Sequence, residues 1–137
     1  DATYSGYIFT KRVVQIVHSH SEAFANSVAA VPLHIYWALH NTHAPIEAPP
    51  RFVSLYSHFN DPKKETFTAM VSVVDESVKN VTSALKDTGL WDTTVFVWTT
   101  DNGSPVQAGG SNHPLRKNLI AHLCTPRVSN VRCWDAE

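Results

Sequence analysis

The chain has 137 residues, with 11 basic against 12 acidic side chains and a formal net charge of −1, which excludes a nucleic-acid binder that depends on a basic surface. Hydrophobic residues make up 43% of the chain and charged residues 17%, against roughly 25% in an ordinary soluble domain, and this composition excludes disorder for most of it. The longest apolar stretch, residues 28–39, is shorter than the ~20 residues of a membrane helix, so we predict no membrane span and one domain, or part of a larger one.

The first half of the chain predicts a helix, a strand and a loop. Apolar residues recur at helical spacing over residues 7–20, which indicates an amphipathic helix. Residues 32–39 are apolar on both alternating sets, a pattern typical of a strand buried on both faces. The loop that follows holds His40 and His43, and the prolines after them exclude regular structure.

The second half predicts a short helix, a long helix and another strand. Residues 51–58 are expected to form the short helix, which the turn at residues 60–62 ends. Apolar positions step by three or four over residues 67–85, which predicts a long helix with Gly89 as its cap. The run at residues 93–100 is β-branched and aromatic, so it predicts a second buried strand.

Strand, long helix and strand in this order predict an α/β fold with a mainly parallel sheet flanked by helices. The carboxyl ends of neighbouring parallel strands lie at one edge of the sheet, where such folds place their ligands. The loops that leave this edge are residues 40–45 and 101–110. We therefore expect the functional residues in these two loops.

Three side chains in these loops are candidates for chemistry. Asp101 and Asn102 offer two oxygen ligands of the kind that Ca²⁺ or Mg²⁺ prefers, but a Ca²⁺ ion takes about six to eight, so Asp-Asn-Gly is alternatively a turn. His43 can hydrogen-bond to an anionic oxygen or protonate a leaving one, and its alternative is a solvated loop histidine.

Several motifs occur in order along the chain, namely Ala-Leu-His-Asn-Thr-His-Ala-Pro-Ile (38–46), Phe-Thr-Ala-Met-Val-Ser-Val-Val-Asp-Glu-Ser-Val (67–78), Gly-Leu-Trp-Asp-Thr-Thr-Val-Phe (89–96), Thr-Asp-Asn-Gly (100–103) and Ala-Gly-Gly-Ser-Asn-His-Pro-Leu-Arg (108–116). Together they resemble the sulfatase family over roughly residues 5–116. The resemblance implies part of an alkaline-phosphatase-like α/β fold and a sulfuric ester hydrolase. Its substrate would be a sulfated sugar or an aryl sulfate ester, and its location lysosomal or extracellular.

The resemblance also implies roles for single residues. Asp101 and Asn102 match the family's pair of Ca²⁺ ligands, and His43 matches a histidine that contacts the sulfate group. The family's nucleophile is a formylglycine made from Cys or Ser in a C/S-x-P-x-R motif. The sequon at Asn80 is a candidate N-glycosylation site, which fits the implied location.

Some family features are not in this chain. It holds no C/S-x-P-x-R motif, since the string that begins at Cys124 is one residue short between Pro and Arg. The family's paired Asp-Asp ligands are also absent, so we expect weak calcium binding and no hydrolysis by these residues alone. Lys117 is a candidate for the family's sulfate-contacting lysine at a different offset. The resemblance divides the chain into a partial catalytic domain, residues 1–116, and a divergent tail, residues 117–137.

Three alternatives stay open from the sequence. A non-catalytic sulfatase-like protein would bind sulfated glycans through His43, Arg116 and Lys117, or serve structurally. A phosphate ester could replace the sulfate ester as substrate. Cys124 and Cys133 either form a disulfide or are free thiols.

Overall fold

The structure is a computed structural model that describes residues 4–25, 31–111 and the backbone of residues 132–133. The helices are α1 (Ser5–Ala25), α2 (Pro50–Val53) and α3 (Pro62–Asp87), with 3₁₀ turns at Ser54–Phe59, Trp91–Thr93 and Val106–Ala108. The strands are β1 (Val97–Trp98) and β2 (Arg132–Cys133). Two compact units are present: unit 1 comprises Asp1–His43 and Val71–Thr94, and unit 2 comprises Ala44–Met70 and Val95–Glu137.

Unit 1 is built on α1 and the larger part of α3. Val13 and Val17 of α1 are buried, which confirms the amphipathic helix predicted over residues 7–20. Gly6 allows close packing, because a Cβ atom there would lie 3.0 Å from Asn41 Oδ1 and 3.3 Å from Val73 Cγ1. The start of α1 thus lies close to Val73 of α3.

The long helix α3 has the predicted period, and its buried positions in unit 1 are Val73, Ser77, Val81, Ala84 and Leu85. Gly89 ends the helix as predicted, with φ +71°. Its N–H donates to the Lys86 carbonyl at 3.0 Å, and the Leu90 N–H donates to the Leu85 carbonyl at 2.9 Å. These two bonds form a Schellman cap, which satisfies the last helical carbonyls.

Unit 2 contains the short helical segment and the first turns of α3. The predicted helix at residues 51–58 is confirmed as α2 followed by the 3₁₀ turn at Ser54–Phe59. Asn60 then adopts a left-handed conformation with φ 51°. Asp61 caps α3, since its Oδ1 accepts hydrogen bonds from the N–H groups of Lys63 at 3.0 Å and Lys64 at 3.3 Å.

The two predicted buried, parallel strands are not present in the described chain. Residues 31–40 carry no strand assignment, and Tyr36 is 88% exposed. Of residues 93–100, only Val97–Trp98 form a strand, which pairs antiparallel with Arg132–Cys133. β-branched and aromatic residues favour extended backbone, but a ladder also needs neighbouring strands that supply hydrogen bonds. The described residues are therefore mostly helical, and the predicted mainly parallel sheet is wrong for them.

Within the described residues, no helix combines the length and the apolar character that crossing a membrane requires.

Candidate functional site

The loop that carries Asp101 and Asn102 lies in unit 2 and follows β1 closely. Both residues are exposed. The Thr100 hydroxyl donates to the Asn102 backbone carbonyl at 2.8 Å and holds the bend. Neither side chain hydrogen-bonds to another described residue. Asp101 and Asn102 thus lie exposed in a bend, which confirms the predicted turn, while their role as metal ligands stays a prediction.

Two glycines allow this loop to pack closely against the start of α3. Gly109 has φ +92°, and a Cβ atom there would lie 2.7 Å from the Lys63 carbonyl and 2.8 Å from the Lys64 nitrogen. A Cβ atom on Gly110 would overlap the Ser104 hydroxyl and lie 3.1 Å from Phe67 Cζ. The backbone of the loop therefore touches the backbone of α3. Only glycine permits this approach at position 109, because an L side chain is also strained at that φ.

His43 is the last residue of the first segment of unit 1, Asp1–His43. The His43 backbone N–H donates to the His40 carbonyl at 3.1 Å, and His43 is exposed. The loop contacts α1 and the residue before it: the His40 ring lies edge-on to the Phe9 ring with centroids 4.9 Å apart, and Asn41 Nδ2 donates to the Tyr4 hydroxyl at 2.8 Å. These contacts fix the loop backbone near His43, which is exposed.

Of the other predicted site residues, Asn80 lies within the described residues and Lys117 does not. Asn80 is exposed on α3, as a glycosylation site must be. Lys117, Arg116 and Cys124 lie outside the described residues. His43 and Asp101 belong to different units, so the structure describes each within its own unit.

Asp101 and Asn102 could supply only part of the ligands that a metal ion needs. In the described ranges, no three or more His, Cys, Asp or Glu side chains cluster as a metal ion requires. Asp101 and Asn102 have the right donor chemistry for Ca²⁺, because both offer hard oxygens, but they supply two of the about six to eight ligands. The expectation of weak calcium binding by the chain alone stays a prediction.

Sequence reasoning missed Lys63 and Lys64, which the glycine contacts place beside the Asp101 loop. The lysines lie in a polar first helical turn, which is typical of an ordinary solvated helix start. The one signal in the sequence was Gly109-Gly110, a pair that permits close backbone approach.

The sulfatase family matches residues 5–123 of this chain, and the chain belongs to that family. It is 36% identical over 113 residues to arylsulfatase J of Mus musculus, covering 82% of this chain and 18% of the relative. It is 34% identical over 90 residues to N-acetylgalactosamine-6-sulfatase of Rattus norvegicus, covering 61% of this chain and 16% of the relative. The chain therefore spans less than a fifth of the length of these curated relatives.

A solved structure gives a matching result for the fold. The crystal structure of Ps i-CgsB superposes with a TM-score of 0.74 at 25% identity, covering 82% of this chain and 24% of that chain. The same protein is also solved in complex with k-i-k-neocarrahexaose, with the same score. These matches support the alkaline-phosphatase-like fold. Within the family, the motifs predict an arylsulfatase B type, and the similarity to arylsulfatase J and N-acetylgalactosamine-6-sulfatase does not confirm that finer assignment.

Proposed function

We propose that this chain contributes to the hydrolysis of sulfate esters, assisted by calcium, as part of a sulfatase. The observation that carries the proposal is the pair Asp101-Asn102, two exposed residues that directly follow the extended segment containing β1. The pair lies in a segment that matches the sulfatase family. The names of two relatives, arylsulfatase and N-acetylgalactosamine-6-sulfatase, support an aryl sulfate or a sulfated sugar as substrate.

The residues of this chain would act in different ways. Asp101 and Asn102 would hold Ca²⁺ through their side-chain oxygens. When bound, this cation neutralises negative charge on the sulfate oxygens. His43 would hydrogen-bond to a sulfate oxygen, and its protonated imidazole would donate a proton to the leaving oxygen. We assign no nucleophile within these 137 residues, because none of their Cys or Ser residues lies in a C/S-x-P-x-R motif.

The test uses a chromogenic aryl sulfate with two proteins: the 137-residue chain, and the product of the longest open reading frame that contains it. We expect turnover only when a C/S-x-P-x-R motif is present. In an active product, His43→Ala should lower kcat by about a hundredfold or more, the usual contribution of a general acid. His18→Ala is the matched control, since His18 is an exposed histidine on α1 and should leave kcat unchanged.

Two outcomes would contradict the proposal. Turnover by the 137-residue chain that His43→Ala abolishes would show that no formylglycine is needed. A longer product that carries the motif, binds sulfated sugars and turns over no sulfate ester would favour the non-catalytic alternative.

We also propose a lysosomal or extracellular location. The exposed sequon at Asn80 supports this location, since N-glycans are added in the secretory pathway. Thr82 of the sequon is tied to the helix by bonds from its hydroxyl to the carbonyls of Val78 at 2.9 Å and Lys79 at 3.1 Å.

A further inference from the structure

Unit 2 carries a group of aromatic and cationic side chains that none of the roles above uses. We call Tyr56, His58, Phe59, Lys63 and Lys64 the cation–aromatic surface. His58 and both lysines are exposed, while Tyr56 and Phe59 are half-buried. The surface therefore presents an imidazole and two ammonium groups to solvent beside two half-buried rings.

The rings are held in contact with one another. Tyr56 and Phe59 are near-parallel, with centroids 5.8 Å apart and planes at 10°. The ring of His58 lies 4.4 Å from that of Phe59, at 51°. The ammonium of Lys64 lies 4.1 Å from the centroid of the Phe59 ring. This cation–π contact directs a charged side chain of α3 onto the aromatic cluster.

The local charge of this region opposes that of the chain. Residues 51–64 contain three cations, Arg51, Lys63 and Lys64, against the single carboxylate of Asp61, whereas the whole chain has a formal net charge of −1. The Asp61 carboxylate already accepts hydrogen bonds from the backbone N–H groups of Lys63 and Lys64. No carboxylate of the described residues forms an ion pair with either ammonium group. Both lysines can therefore take an anionic ligand.

We propose that the cation–aromatic surface binds a sulfated sugar chain as a second binding site, separate from the site of ester hydrolysis. The aromatic faces would stack against the apolar face of a sugar ring, and the lysine ammonium groups would pair with its sulfate groups. An acidic peptide would satisfy the lysines but has no flat apolar face to cover the rings. A free sulfate ion would leave the rings unused.

The position of the surface in unit 2 supports this ligand. Gly109 touches the backbone of Lys63 and Lys64, so the surface adjoins the loop of residues 101–110, which carries Asp101 and Asn102. A sugar chain held at the surface would lie beside that loop. The inference rests on the proposed function only for the choice of a sulfated sugar as the ligand. Its test measures binding and needs no turnover.

The experiment titrates the 137-residue chain with a chondroitin sulfate hexasaccharide and with the same oligosaccharide after chemical desulfation. The variant Lys63→Gln/Lys64→Gln removes both ammonium groups of the surface. Its matched control is Lys11→Gln/Lys79→Gln, which removes the same charge from two exposed lysines of unit 1. A third variant, Tyr56→Leu, removes a ring and keeps an apolar side chain. The dissociation constant is measured by calorimetry at two salt concentrations.

We expect the Lys63/Lys64 variant to weaken binding about tenfold and Tyr56→Leu about threefold, while the control changes it less than twofold. Desulfation should abolish binding, and higher salt should weaken it. Equal weakening by both lysine pairs would overturn the proposal, since it would show attraction by overall charge alone. Equal affinity for a poly-glutamate peptide would also overturn it in favour of an acidic protein partner. Binding as expected by the 137-residue chain, together with no turnover by a longer product that carries the C/S-x-P-x-R motif, would contradict only the proposed enzymatic function.

Discussion

Ser77 offers a sharp test of the packing in unit 1. Ser77 lies within α3 and is 1% exposed, and its hydroxyl has no hydrogen-bond partner among the described residues. A buried hydroxyl without a partner costs about 1–3 kcal/mol of folding free energy. Replacing it with a methyl group should therefore stabilise the protein, whereas most core substitutions destabilise it.

The expected gain from Ser77→Ala has three parts. Removal of the buried hydroxyl contributes the 1–3 kcal/mol above, and the higher helix propensity of alanine adds about 0.5 kcal/mol. The small void that remains subtracts up to about 1 kcal/mol. The free energy of unfolding should rise by about 0.5–3.5 kcal/mol, and the central value of about 2 kcal/mol corresponds to an increase in Tm of about 7 °C for a chain of this size.

The assay is urea and thermal unfolding of the 137-residue chain, followed by circular dichroism. Ser83→Ala is the matched control, because Ser83 is exposed on the same helix and should show only the propensity gain of about 0.5 kcal/mol. Thr10→Val removes a buried hydroxyl that does have a partner, the Gly6 carbonyl at 2.6 Å, and should destabilise by about 1 kcal/mol. If Ser77→Ala is no more stable than Ser83→Ala, the hydroxyl is satisfied and the reasoning is wrong.

Two further predictions concern the loop of residues 101–110. Gly109→Ala places a Cβ atom 2.7 Å from the Lys63 carbonyl at φ +92°, whereas Gly89→Ala places one at φ +71° with nothing within 4 Å. Because backbone strain of this kind typically costs about 1–3 kcal/mol, urea unfolding should show Gly109→Ala to be less stable than Gly89→Ala by about 2 kcal/mol. Equal losses of stability would contradict the close contact between Gly109 and α3. Calorimetric titration with Ca²⁺ should show weak binding, and Asp101→Ala should lower the affinity about tenfold. Asp92→Ala, a control at an exposed residue of unit 1, should leave the affinity unchanged. If both substitutions have the same effect, Asp101 is not a calcium ligand.

The helices could be predicted from the sequence because their signals are local. The step of three or four along α3 follows from one helix burying one face, and Gly89 ends the helix through its own left-handed backbone. The loops at residues 40–45 and 101–110 were also located correctly, since proline, glycine and Asn-Gly restrict the backbone directly.

The strands and the cation–aromatic surface could not be predicted in the same way. Residues 32–39 and 93–100 have strong strand propensity, yet a ladder depends on partners distant in sequence, and only Val97–Trp98 find one among the described residues. Lys63 and Lys64 acquire their significance through the approach of Gly109, a contact between positions about 45 residues apart in sequence that no local pattern encodes.

The exposed apolar side chains in the extended segments affect how the isolated chain will behave in solution. Val31 is 64% exposed, Tyr36 88% and Val95 87%, all in segments for which no ladder is described. Extended apolar segments of this kind pair readily with copies of themselves, which leads to aggregation rather than to a defined oligomer. Aggregation of the 137-residue chain should therefore increase steeply with its concentration, and Tyr36→Lys or Val95→Lys is the simplest substitution to reduce it.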